Sequence, residues 1–188
     1  MCKSRINLAL LIISLLISGN VLADTVWTNT SGDHLWSNPD NWTAGVPNYS
    51  GVAQINVDIA SGPIVNSDNA WTSHISVGHT DVEGTATVTV TGGDLESNWF
   101  GLGFSGGAGG TGKANGILNM QGGTVTAYYD FLVGGDGGGD GTINMIAGTI
   151  YAHRLWIGYF EPVNGGMGSI NLDGVACSPK FEQSGVRG

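Results

Sequence analysis

Residues 116–158 read GILNMQGGTVTAYYDFLVG (116–134), GDGGGD (135–140) and GTINMIAGTIYAHRLWIG (141–158). The last stretch repeats the first. Each has a Gly, an apolar-Asn-apolar triplet, a Gly turn, a short β-rich run and an apolar run closed by Gly. A repeat of a few tens of residues decides a fold before any local propensity does, because neighbouring copies stack to bury a shared core.

Related units flank this pair. They contain Ile55-Asn56-Val57 closing at Gly78, Val88-Thr89-Val90 closing at Gly103, and Ile170-Asn171-Leu172 with Gly174. The closing glycines at 78, 103, 134 and 158 lie 25, 31 and 24 residues apart. The variation falls in Gly-rich loops such as FSGGAGGTGKANG after Gly103, where insertions disturb least. Within each unit the apolar residues alternate. Leu118 and Met120 share a face, as do Val125 and Ala127, Phe131 and Val133, Leu155 and Ile157, Phe100 and Leu102, and Ile75 and Val77. A period of two marks half-buried strands, and no stretch after residue 23 shows a helical period. The expected fold is all-β: a single-stranded parallel β-helix of about four to five coils, with strands about 4.8 Å apart between coils. By the same alternation Asn56, Thr89, Asn119, Asn144 and Asn171 face outward. They are expected to stack as a ladder of side-chain hydrogen bonds.

Composition agrees with strands and turns. Charged residues make up 11% and Gly numbers 33 of 188, without the strict period of collagen. Residues 1–23 read as a secretory signal, with Lys3 and Arg5 before the apolar run Ile6 to Ile17, and Val21-Leu22-Ala23 as the cleavage site before Asp24. The apolar run is too short to span a bilayer comfortably, so no stable membrane span is expected after cleavage. Cleavage leaves four basic residues against 15 acids, a net charge of −11. Such a surface argues against nucleic acid and anionic lipid as partners. Cys177 then stands alone, and stability must come from packing and backbone pairing.

The sequence divides into a signal (1–23), a head segment (24–50), repeats (51–174) and an irregular tail (175–188). The head holds Trp27, Trp36 and Trp42 among Gly, Asn, Pro and Asp turns. A cap over the end of a stacked core is one reading; an aromatic sugar-binding platform is the other. WTNTSGDHLWSNPDNWTAGVPN (27–48), followed by an alternating strand, resembles the opening module of secreted bacterial autotransporter-type and PEP-CTERM-associated β-repeat proteins. The units GILNMQGGTVTA, GTINMIAGTI and GSINLDG are similar to their repeats. The resemblance implies a right-handed parallel β-helix at or outside the cell surface, and supplies no catalytic residue. Such chains usually continue to an anchor or barrel, whereas here the pattern stops after Asp173-Gly174. A naturally short chain and a truncated piece of a longer protein both fit, and either would invite end-to-end self-association at a bare strand edge.

Little chemistry is visible. The loop 134–141 resembles a calcium-binding nonapeptide, but Asp136 and Asp140 fall out of its phase, so calcium there is a weak candidate and no other cofactor is expected. His34, His74, His79 and His153 show no zinc spacing, and solvent exposure is the expected fate of His74 and His79. A polysaccharide lyase needs a cationic cluster, yet only Lys113 and Arg154 lie among the repeats. A glycosidase needs paired carboxylates; Asp94 and Glu96 share one strand face. Thr124 and Thr126 suggest an ice-binding ladder, broken by Asp94, Glu96 and Tyr151 at equivalent positions. Trp99 and Trp156 are expected to face outward, with Tyr128, Tyr151 and Tyr159 nearby, as candidate glycan contacts. The expected function is a non-catalytic structural or adhesive surface element whose partners are extracellular polysaccharide or other surface proteins. A small or degenerate carbohydrate-active enzyme is the alternative.

Overall fold

The computed structural model describes residues 24–56, 61–67, 70–78, 83–103, 114–135, 138–158 and 166–184, with side chains described as far as 174. The signal segment with Ala23, and also Asp136, His79, Lys113 and Tyr159, lie outside the described residues. Among those described the chain is all-β, with a single short 3-10 turn at Pro39–Asn41. Nine strands form one sheet: β1 (Thr25–Val26), β2 (Val52–Ile55), β3 (Ile64–Val65), β4 (Ala70–Val77), β5 (Gly84–Val90), β6 (Asp94–Leu102), β7 (Ala114–Val133), β8 (Gly141–Ile157) and β9 (Gly168–Ser184). Every pairing between these strands is parallel, and the sheet does not close into a barrel. The arrangement is consistent with a stacked solenoid.

The register follows the sequence repeat. Val88 lies beside Leu118, Leu118 beside Ile143 and Ile143 beside Ile170. On another side of the stack Ile75, Phe100, Phe131 and Leu155 form a column, as do Ile55, Val77, Leu102, Val133 and Ile157. The side chains that alternate inward are buried and form one cluster running from Trp27 to Leu155. Phe100 and Phe131 stack within it, ring centroids 4.6 Å apart and nearly parallel. Ile157 departs from the expected inward set: it is 45% exposed.

The corners require Gly. Gly134 has φ 72°, and a Cβ there would lie 2.2 Å from the Met167 carbonyl oxygen of the next layer. Gly123 has φ 71° and faces the Gly93 carbonyl at 2.3 Å. A side chain at either position meets both backbone strain and collision.

Two sequence expectations are corrected. Asn56 is not in the Asn file. Ile55 is in register with Val77, so Asn56 stands at the corner that Gly78 occupies one layer on, and the residue beside Thr89 is Ile64. The apolar-Asn-apolar triplet at 55–57 thus belongs to the end of one repeat and not to the start of the next. The stretch 175–184 is likewise not irregular: β9 continues to Ser184, with Ala176 beside Ala147 and Ser178 beside Thr149. Backbone pairing needs no repeat side chains, and Pro179 is tolerated because among the described strands β9 pairs only with β8.

Candidate functional site: an aromatic groove across the repeats

The last third of each repeat presents two outward columns. His74, Trp99, Asp130 and Arg154 are successive partners in one; Ser76, Gly101, Leu132 and Trp156 are in the other. With Gly101 contributing no side chain, the two columns enclose a groove of about 510 Å³. That is within the range of small-molecule and cofactor sites, roughly 300–1,000 Å³. Trp99 and Trp156 both line it, together with His74, Asp130, Leu132 and Arg154.

Asp130 organises the polar side. It is 3% exposed. Its Oδ2 accepts from an Arg154 terminal nitrogen at 2.8 Å, its Oδ1 accepts from Trp156 Nε1 at 2.9 Å, and Arg154 Nε lies 2.6 Å from Oδ1. Arg154 Nε has no aligned hydrogen-bond acceptor, so that last contact is an ion pair and not a directed bond. The pair holds the indole edge of Trp156 to the sheet. The Arg154 side chain remains 43% exposed and lines the groove. On the other wall Trp99, 37% exposed, lies parallel to the His74 ring at a centroid distance of 6.2 Å, with Tyr129 tilted against its far side. His74 Nδ1 shares a hydrogen bond with Ser73 Oγ at 2.7 Å. Packing against the sheet lowers the His74 pKa from 6.5 by desolvation, partly opposed by the nearby Asp24 carboxylate.

The other candidate aromatics sit elsewhere. Tyr128 and Tyr151 belong to the preceding face, where Trp71, Glu96, Thr126 and Tyr151 are successive partners. Glu96 Oε2 accepts from Trp71 Nε1 at 2.9 Å and from the Tyr128 hydroxyl at 2.7 Å. That second bond is the first cause of the raised Tyr128 pKa, since a phenolate would lose it. Tyr49 stacks on Trp71 at 4.3 Å. The Glu96 carboxylate is therefore engaged in an aromatic cluster and does not stand free beside Asp94. The Thr column runs Asp94, Thr124, Thr149, interrupted at its first step by the acid.

In the Asn file, Asn144 Nδ2 donates to Asn119 Oδ1 at 3.0 Å and Asn171 Nδ2 to Asn144 Oδ1 at 2.8 Å; Thr89 is in register above Asn119. Asp140 Oδ1 accepts the Met167 backbone N–H at 2.8 Å, tying one layer to the next. Among the described residues no group of three or more His, Cys, Asp or Glu could hold a metal. The head tryptophans are 1%, 2% and 4% exposed, so an open sugar platform there is excluded by burial.

Sequence reading missed Asp130, whereas the expected exposure of His74 holds, on β4 beside Trp99. The signal was present: Asp130 and Arg154 are separated by 24 residues, the same interval as Gly134 and Gly158, so the repeat places opposite charges side by side. The chain matches no protein-family model, no curated protein and no solved structure. The fold defines it as an all-β protein built on one sheet of parallel strands.

Proposed function

We propose that the chain is a right-handed parallel β-helix of about four to five coils with an N-terminal Trp cap, secreted and non-catalytic, serving as a structural or adhesive element outside the cell that binds glycan in the groove between Trp99 and Trp156. One observation carries this reading: two indole rings from different repeats wall a single groove whose interior also offers polar groups. Sugars have apolar C–H faces and hydroxyl rims, and aromatic walls with a few fixed polar groups suit both. The carboxylates nearest to such chemistry favour a structural role, Asp130 through Arg154 and Trp156, Glu96 through Trp71 and Tyr128. The signal-like leader supports export, and the resemblance of the head to secreted bacterial β-repeat proteins agrees with it.

A glycan array on the purified chain tests binding. Incubation with the best ligands then tests for catalysis: release of reducing ends or unsaturated products would overturn the non-catalytic reading. Sequencing the exported protein should give Asp24 as its first residue; a retained leader would overturn cleavage at Ala23.

A further inference from the structure

We propose that the groove selects an uncharged hexose-based oligosaccharide that crosses the repeats, and discriminates against acidic glycans. This rests on reading the groove as a glycan site and adds the class of glycan. Trp99 is on β6 and Trp156 on β8, with β7 between them. Two strand spacings separate the walls by about 10 Å along the stack. A ligand touching both walls therefore spans repeats and does not lie along one strand. The span and the volume of about 510 Å³ suit a short oligosaccharide better than a single ring.

Charge decides the class. Within the groove Asp130 and Arg154 cancel, and the cation is already committed to its carboxylate at 2.8 Å. Desolvation lowers the His74 pKa, which disfavours its cationic form, and the Asp24 carboxylate acts on it in the opposite direction. Beyond lies a chain of net charge −9. A uronate or sulfate entering here would meet the Asp130 carboxylate and a guanidinium already paired with it, with no surplus cation among the lining residues to receive it. Screening over about 8 Å at physiological salt removes the distant charges but not these neighbours. Uncharged hydroxyls face no such penalty. The exposed part of the Arg154 guanidinium donates to them, because only some of its five N–H groups are directed at Asp130. The polar groups then orient a ligand whose C–H faces lie against the indoles.

Titration calorimetry of the full chain with neutral hexose oligomers (β-glucan, α-glucan and mannan hexasaccharides) and with oligogalacturonate and oligomannuronate tests this. At least one neutral oligomer should bind, with Trp99→Ala weakening it at least about tenfold, Trp99→Phe restoring part of the loss and the uronates binding more weakly. Circular dichroism confirms that the variants fold. Tighter binding of a uronate, lost in Arg154→Gln, would overturn the charge assignment and leave glycan binding in place. Neutral binding unaffected by Trp99→Ala in a folded variant would overturn the groove as the site. Absence of binding to every oligomer and on the array would overturn both readings.

Discussion

Asp130 and Arg154 sit one repeat apart in sequence and adjacent in space, and the carboxylate is buried while the guanidinium is half exposed. Asp130→Asn keeps the shape and an acceptor for Trp156 Nε1 but removes the ion pair. Because Arg154 regains water when released, the loss falls below that of a fully buried pair, about 1–3 kcal/mol by urea unfolding. Asp33 illustrates a different use of a carboxylate. It accepts the Leu35 backbone N–H at 2.9 Å and the side chains of Asn38 and Asn41 at 2.7 and 2.6 Å, and these bonds, the backbone one first, hold its pKa well below the usual carboxylate range. A folded pKa below the unfolded value, about 3.9, means that the stabilisation is present above that pH and is lost as pH falls towards the folded pKa. Asp33→Asn should therefore lower Tm near neutrality and flatten its fall below about pH 4. A Tm–pH curve parallel to that of the parent chain would contradict this. His74 runs in the same sense at higher pH: its lowered pKa makes stability greatest above about pH 6.5, declining as acid protonates the unfolded chain first.

At the level of strands, alternation and glycine spacing made β5 through β8 readable. Leu118, Met120, Val125, Phe131 and Val133 are buried as their periodicity requires, and Asp94, Thr124 and Thr149 align in the column that the repeat predicts. What misled was local likeness without register. Ile55-Asn56-Val57 matches the triplet, yet parallel pairing sets Ile55 beside Val77, a fact about layer-to-layer contacts that no single repeat encodes. The groove was less legible still, because Trp99 and Trp156 occupy different positions in their repeats and meet only through stacking. The Asn file gives a direct comparison. Asn144 both donates to Asn119 and accepts from Asn171, whereas the buried Asn56 Oδ1 has no hydrogen-bond partner among the described residues. Asn144→Ala should cost about 1–2 kcal/mol in denaturant unfolding, two partly exposed bonds' worth, while Asn56→Ala should cost less than that. Equal losses at the two sites would mean that the file contributes nothing as a file.

Across the described residues, the apolar interior is one cluster from Trp27 to Leu155 that includes the three head tryptophans. Trp42 is central to their packing. Its ring meets Trp27 and Trp36 edge-on at centroid distances of 5.0 and 4.8 Å, and its Nε1 donates to the Trp36 carbonyl at 2.8 Å. Trp27 Nε1 reaches the Ser61 carbonyl at 3.0 Å, and Leu35 bridges Ile64, so the head is pinned to the first layers at separate points. A polar knot stiffens it from outside: Asn41, fully buried, donates to Asp33 and the Leu35 carbonyl and accepts from Ser31. In a stacked repeat fold of the kind proposed, layers contact only their neighbours, so an end layer has support from one side. Trp42→Ala removes the centre of the aromatic trio and leaves a cavity beside β1 and β2. The expected loss is about 3–5 kcal/mol, the range for large aromatic truncations in a core. Because the loosened head also uncovers the parallel edge of β2, the variant should associate with itself at concentrations where the parent chain does not. Light scattering during a urea titration reads both effects together. A variant that is destabilised but stays as dispersed as the parent would show that the head contributes packing without shielding the edge.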